Sequence, residues 1–512
     1  MTQSGVAPSP IRVCRTPLTI AFVCAVVLGL GVPAQAHPVG QCTVDSSGDR
    51  CEVWAEIHHN GDVAPPHRAD EFVTSVSASA ATVFTTVREV AMDVSSPYDA
   101  RARWTVLAHD SATGELRWSA SRSTRHYDSP LASAVSADGR RLFVTGSAYD
   151  GYPVVATDAH IVTVAYDAHT GDELWSLAWD GRPDATDAGK TIAVSPNGKT
   201  VVVGGVTSSE SGDLDYVTIA YDVEKGREVW ARTAAGLRET GTDSLNAIAM
   251  SPRGDLVFVT GESAGTAEFD ADFVTIAYEV KRGKTAWTAR YAGLDEGHSD
   301  RASGIAVAPD ASRVYVTGDS WGGQRDGRTQ YDYATVAFDA RSGEQQWVGR
   351  WGGPVAGFNA PVAVVASADR VVVTGQSRGA TAEDVRDFGT VAYDAASGEE
   401  VWADRYAPPR HDEIALDLAL SSDGATAFVT GASSHAIDYT DLDEAATVAY
   451  GVTDGRRLWT SRLDMGAGNA VLGRRLAAIP GDGVAMVGQI TYSADPLKPQ
   501  SQNIYDTLIV AY

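Results

Sequence analysis

The chain has 512 residues, 50 of them glycine, with 66 acids against 41 lysines and arginines and a formal charge of -25. A surface this acidic repels phosphate backbones and anionic lipid, so no nucleic-acid partner is expected. Of the four cysteines, Cys14 and Cys24 fall in the N-terminal segment read below as a signal peptide, and Cys42 and Cys51 alone are poor evidence for zinc, which takes about four clustered ligands.

In chain order, residues 1–36 read as a secretory signal peptide. Arg12 and Arg15 precede an apolar run from Leu18 to Val32, and "AQA" ends at Ala36. No later apolar run approaches the roughly 20 residues of a spanning helix, so no membrane insertion is expected. The reading is a secreted, monomeric protein whose single domain covers 37–512. Cys42 and Cys51 flank "CTVDSSGDRC" and are expected to form a disulfide in an oxidising compartment.

The body of the chain repeats. "VTVAYDAHTGDELW", "VTIAYDVEKGREVW", "VTIAYEVKRGKTAW", "ATVAFDARSGEQQW", "GTVAYDAASGEEVW" and "ATVAYGVTDGRRLW" each give an alternating strand, a tight glycine turn and a second strand. Another hairpin precedes each copy, as in "IAVSPNGKTVVVGG". Four strands, A to D, thus recur about every 57 residues, the period of propeller blades. The first A–B hairpin is degenerate and falls at 72–86. The chain stops at "DTLIVAY", a C strand with no D strand after it, whereas "CEVWAEIHHNG" near the start matches a D strand with no C strand before it. The expected fold is therefore all-β: an eight-bladed propeller of four-stranded antiparallel blades, its last blade completed by the N-terminal strand. Trp54, Trp118, Trp175, Trp230, Trp287, Trp347, Trp402 and Trp459 share one repeat position and are expected to pack between blades.

"GDSWG" at 318–322 fits the nucleophile-elbow pattern, but "GESAG" and "GQSRG" occupy the same repeat position at 261 and 375, and no helix follows any of them. Ser320 is read as a turn residue.

The form of "AYDAHTGDELW" and "AHDSATGELRW" resembles the tryptophan-docking motif of quinoprotein alcohol dehydrogenases, eight-bladed propellers that use pyrroloquinoline quinone (PQQ). Exported proteins with PQQ-like repeats, including outer-membrane assembly lipoproteins, look similar. The resemblance implies the fold. It implies no cofactor residue, because the adjacent cysteines and the calcium-binding set of those enzymes have no match here. Neither PQQ nor another cofactor is expected, with calcium the one metal the sequence suggests.

Candidate sites fall on the face carrying the long B–C and D–A connections, since binding residues favour loops on a rigid scaffold. "WGGQRDGRTQYDY" combines Trp321, Arg325, Asp326, Arg328 and Tyr331 in one loop, and Trp and Arg are the residues that most often anchor interfaces. "DYTDLDE" places Asp438, Asp441, Asp443 and Glu444 within calcium's oxygen chemistry, although not at EF-hand spacing. Two acid sets repeat along the chain: Asp215, Asp272, Asp332, Asp387 and Asp506 before strand C, and Asp128, Asp187, Asp243 and Asp300 before strand A, with Asn359 and Glu413 in register. Both are read as ordering loops by accepting backbone N–H bonds. Strand A reads small and apolar, which places any site at the rim and not along the axis. The functional expectation is a non-enzymatic scaffold that binds a protein or a glycan. The alternatives are a PQQ- and calcium-dependent dehydrogenase, or a lyase or hydrolase with a rim site drawing on His298, His411, His435 or Arg328.

Overall fold

The computed structural model describes residues 41–43, 54–58, 67–93, 96–122, 127–149, 159–182, 185–238, 241–265, 270–295, 297–379, 386–408, 412–434, 442–464, 469–480, 483–492 and 504–512. The signal-peptide reading, Cys51, His411, His435, Asp438 and Asp441, and the side chains of Trp54 and Asp443, lie outside what is described.

Eight antiparallel blades surround one axis. Blades 1 to 7 occupy residues 67–122, 127–179, 188–234, 244–291, 301–351, 360–406 and 412–464. Blade 8 takes strands A to C from 469–511 and its D strand from the N-terminal segment Trp54–His58, which pairs with Ile504–Ala511 from Trp54 opposite Ala511 to His58 opposite Thr507. The expected closure is thus present. The first hairpin is longer than the repeat suggested, with His67–Ala78 pairing Thr82–Asp93.

Burial explains the patterning of each blade. Strands B and C lie between neighbours on both sides and are apolar almost throughout, as in Thr200–Ser208, which is buried from Val201 to Thr207. Strand D forms the outer edge and alternates with solvent, as in Leu116–Arg122. The residue before each docking tryptophan is a β-bulge, and this turns Leu174, Val229 and Val401 outward.

The tryptophans connect the blades. Trp118, Trp175, Trp230, Trp287, Trp347 and Trp402 each donate Nε1–H to a carbonyl in the C–D turn of the next blade, at 2.7 to 3.2 Å. The turn glycine of that blade (171, 226, 283, 343, 398, 455) lies under the indole at positive φ, where an added Cβ would fall 2.4 to 2.6 Å from a ring carbon. Glycine is required there both for the backbone and for the space. Blade 8 has no continuous C–D turn, and Trp459 instead packs against the C-terminal residue, Tyr512, at 5.2 Å between ring centroids. Gln41–Thr43 adds a fifth strand to the outer edge of blade 7, so Cys42 lies on blade 7 and not on the closing strand.

Candidate functional site

The long-loop face is built from repeated polar clusters. In blades 4 to 7 an acid early in strand C pairs with an arginine near the end of strand D: Asp272 with Arg290, Asp332 with Arg350, Asp387 with Arg405 and Glu444 with Arg462. These acids are therefore ion-paired, a correction to the backbone-capping role expected of them. A buried carboxylate survives when a guanidinium and further hydrogen bonds satisfy it. The arginine was missed, yet it follows its acid by the same 18 residues in all four of these blades. Glu444 is thereby committed to Arg462, its Oε2 accepting from Nε at 2.6 Å. Among the described residues, no group of three His, Cys, Asp or Glu is placed to hold a metal.

The second acid set behaves as expected. Asp187 accepts from Gly181 N–H at 2.8 Å, Asp243 from Ala264 N–H at 2.8 Å and Asp300 from Trp321 N–H at 3.1 Å. All are buried, and burial raises their carboxyl pKa values, that of Asp300 to about 6. Ser433 donates to Glu413 at 2.9 Å, where burial raises the carboxyl to about 8. The serine of the elbow-like pattern belongs to these clusters. Ser320 is buried inside strand Arg313–Arg325, not in a turn, and its Oγ accepts from Arg350 at 2.8 Å. Its counterpart Ser377 donates to Asn359 at 3.1 Å.

The 321–333 stretch is not an open loop. Strands Arg313–Arg325 and Arg328–Asp339 continue their pairing out to Arg325 opposite Arg328, so this hairpin has longer strands than the corresponding pairs of blades 4 and 6. Asp326 and Gly327 close it with φ of 53° and 72°, the two positive values of a type I′ turn; the Asp-Gly pair was the signal available in sequence. Of the five residues expected to act together, Arg325, Asp326 and Arg328 are exposed at the tip. Arg325 also donates to Gly353 O at 3.2 Å and Pro354 O at 3.1 Å, clasping the loop to blade 6. Trp321 stacks on His298 of the preceding loop, with centroids 3.9 Å apart and 15° between planes. Tyr331 bridges to Phe358 through backbone and ring, at 5.5 Å between centroids. The two D–A loops that flank this hairpin leave Leu294 and Phe358 64% and 48% exposed, and Leu237, on the D–A loop one blade back, is 63% exposed.

The axis is not apolar as strand A suggested. Strand A of every blade has a β-bulge at one register position, occupied by Thr74, Leu131, Lys190, Asn246, Ser303, Val362, Leu416 and Arg474. Several of these residues link blades. Lys190 donates to Ser244 at 2.6 Å, Asn246 to Ala302 O at 2.9 Å and Ser303 to Pro361 O at 2.8 Å. Arg301 pairs with Glu262 at 3.1 Å, and burial lifts Asp319, opposite Arg301, to about 6. Alternation counting misses these positions because a bulge changes which way a side chain points. A cavity of about 220 Å³ lies on the opposite, tight-turn face between blades 5 and 6, lined by Asp310, Arg313, Tyr315, Asp369 and Asp394.

The family model PQQ_2, described as outer membrane protein assembly factor BamB, matches residues 89–317, from blade 1 into blade 5. The chain is an eight-bladed β-propeller that resembles this family over less than half of its length. No curated protein matches it. Among solved structures it is similar to the quinohemoprotein alcohol dehydrogenase from Comamonas testosteroni, at 12% identity over 86% of this chain and 75% of that one, with a TM-score of 0.48. It is also similar to a europium-containing methanol dehydrogenase, at 14% identity over 87% and 93%, with a TM-score of 0.45. At this identity no residue role carries over from either enzyme to this propeller.

Proposed function

We propose that the chain is a secreted, non-enzymatic scaffold that binds a protein partner through its long-loop face, at the blade 5 hairpin and the loops flanking it. The observation that carries this reading is the exposure of Leu294 and Phe358 on the two loops flanking a hairpin tipped by Arg325 and Arg328, with Leu237 exposed on the preceding D–A loop. Apolar side chains grouped about an ordered arginine-bearing hairpin favour a protein interface, where aromatic and arginine anchors supply most of the affinity. A glycan would need an open aromatic platform, and His298 covers one face of Trp321. The acids of this face that stand in ion pairs are neutralised by their own arginines, which suits a rigid platform better than proton transfer.

The test places a photo-crosslinking amino acid at 294 or 358, with position 174 on the outer rim as control, in cells that export the protein. A discrete adduct from 294 and 358, absent at 174 and abolished by Trp321→Ala with Arg325→Ala, supports the proposal. Equal labelling at 174 overturns it. A quinone absorbance that survives desalting after incubation with PQQ and Ca²⁺ would favour the dehydrogenase instead.

A further inference from the structure

The ring is continuous chain at seven of its blade junctions and is closed at the eighth by Trp54–His58 lying along blade 8, with one parallel bridge from Asp70 of blade 1 to Tyr505. At every junction the aromatic that ends the "A-Y-D" stretch of strand C packs toward the preceding blade. That residue is Tyr166, Tyr221, Tyr278, Tyr393, Tyr450 or Tyr512, with Phe338 in blade 5, and each is buried. At the closing junction alone the position holds histidine. His109 is fully buried in strand C of blade 1 (Ser96–Asp110).

The residue facing it is also exceptional. Two positions after the docking tryptophan, blade 5 presents Gly349 to Tyr393, and blade 6 presents Asp404 to Tyr450, with Arg457 holding that acid at 2.7 Å. The closing strand presents Glu56 to His109, with Oε2 3.5 Å from Nε2. Oε2 and both imidazole nitrogens are buried without a hydrogen-bond partner. Among the described residues, no lysine or arginine acts on the pair. His58 lies on the same strand as Glu56, Glu115 stands on the C–D turn of blade 1, and Asp110 beside His109 is paired with Arg117 at 2.6 Å. Strand B of blade 1 sets Val83 opposite His109, and strand C of blade 8 has its nearest acid, Asp506, one residue past the Thr507 that pairs with His58.

We propose that Glu56 and His109 form a pH-responsive latch on the closure of the propeller, holding the N-terminal strand most tightly when the two side chains share one acidic proton. With that proton the pair is neutral overall. Without it a carboxylate is buried against an imidazole; with a second, an imidazolium is buried against a carboxylic acid, and burial disfavours either charge. Burial and then Glu115 raise Glu56 to about 7, whereas burial and then His58 lower His109 to about 3. Glu56's closed-state value lies above its ordinary one, so the closed seam weakens as pH rises from about 4.5 to 7. His109's lies below its ordinary 6.5, so the seam also weakens as pH falls below that value. Closure is therefore tightest near pH 5.5, and opening rises about two- to threefold by pH 8 and about 10-fold by pH 3.

The measurement is amide hydrogen exchange of residues 55–58 in the full chain from pH 3 to 9, corrected for intrinsic rates and compared with the D strand Thr285–Tyr291, whose junction carries Phe338. Protection that peaks near pH 5.5 in 55–58 only, an acid limb removed by His109→Tyr and an alkaline limb removed by Glu56→Gln are the expected results. Should His109→Tyr not fold, Glu56→Gln alone decides through the alkaline limb. If 55–58 follows 285–291 across the range, or both limbs persist in Glu56→Gln, the latch is refuted.

Discussion

Arg350 fastens the blade 5 hairpin to its blade, and replacing it with leucine tests that role. Its guanidinium donates to Ser320 Oγ at 2.8 Å, Trp321 O at 2.9 Å, Tyr291 OH at 2.9 Å and Asp332 Oδ2 at 3.3 Å. Leucine fills most of the aliphatic volume but leaves the Asp332 carboxylate, 12% exposed, with Gln330 as its remaining side-chain partner. Breaking a buried pair by removing one partner costs about 3 to 5 kcal/mol, and partial exposure places this case near 3. That is a large part of the 5 to 15 kcal/mol typical of a folded domain. Urea unfolding followed by tryptophan fluorescence at pH 7 measures the deficit, and Arg350→Leu with Asp332→Asn should recover much of the loss. A deficit below about 1 kcal/mol, or no recovery in the double variant, would refute the pairing argument.

Trp230→Ala removes a buried indole and its 2.7 Å bond to Val280 O, and should cost about 3 to 5 kcal/mol in urea unfolding. Gly283→Ala sets a Cβ 2.4 Å from Trp230 Cδ2 at a φ of +62° and should cost about 1 to 3 kcal/mol, an effect that shrinks in a Trp230→Ala background. Because Glu413 is raised to about 8, folding loses stability as pH climbs from about 4.5 to 8. Glu413→Gln should be more stable than the parent by roughly 4 kcal/mol at pH 8 and about equal to it at pH 4.5, as read by paired urea curves.

The fold was legible because it is written as a repeat. Tryptophan and turn glycine recur at fixed separation, and the two incomplete ends complement one another, so blade number and closure both followed from spacing. The candidate site was legible only as a region. Trp321, Arg325 and Tyr331 were found by composition, but their arrangement depends on an Asp-Gly turn that extends two strands, and on His298 and Phe358, which come from other loops. The arginine partners of the strand C acids were overlooked although their spacing is constant, because a strand-end arginine has no local signature apart from its cross-strand acid. The polar collar at the axis was hidden for a different reason. A bulge breaks the two-residue alternation by which inward positions are counted, and Lys190, Asn246 and Arg474 all stand on bulges.

The two ends of the chain differ in how they would bear tension. The N-terminal stretch lies along the rim, with Gln41–Thr43 on blade 7 and Trp54–His58 on blade 8, each paired on one side among the described residues. The final strand, Ile504–Ala511, is bonded on both sides. A load on the amino end would unzip the ring in small steps, whereas a load on the carboxyl end would meet two ladders in shear, making the amino end the compliant handle of the molecule.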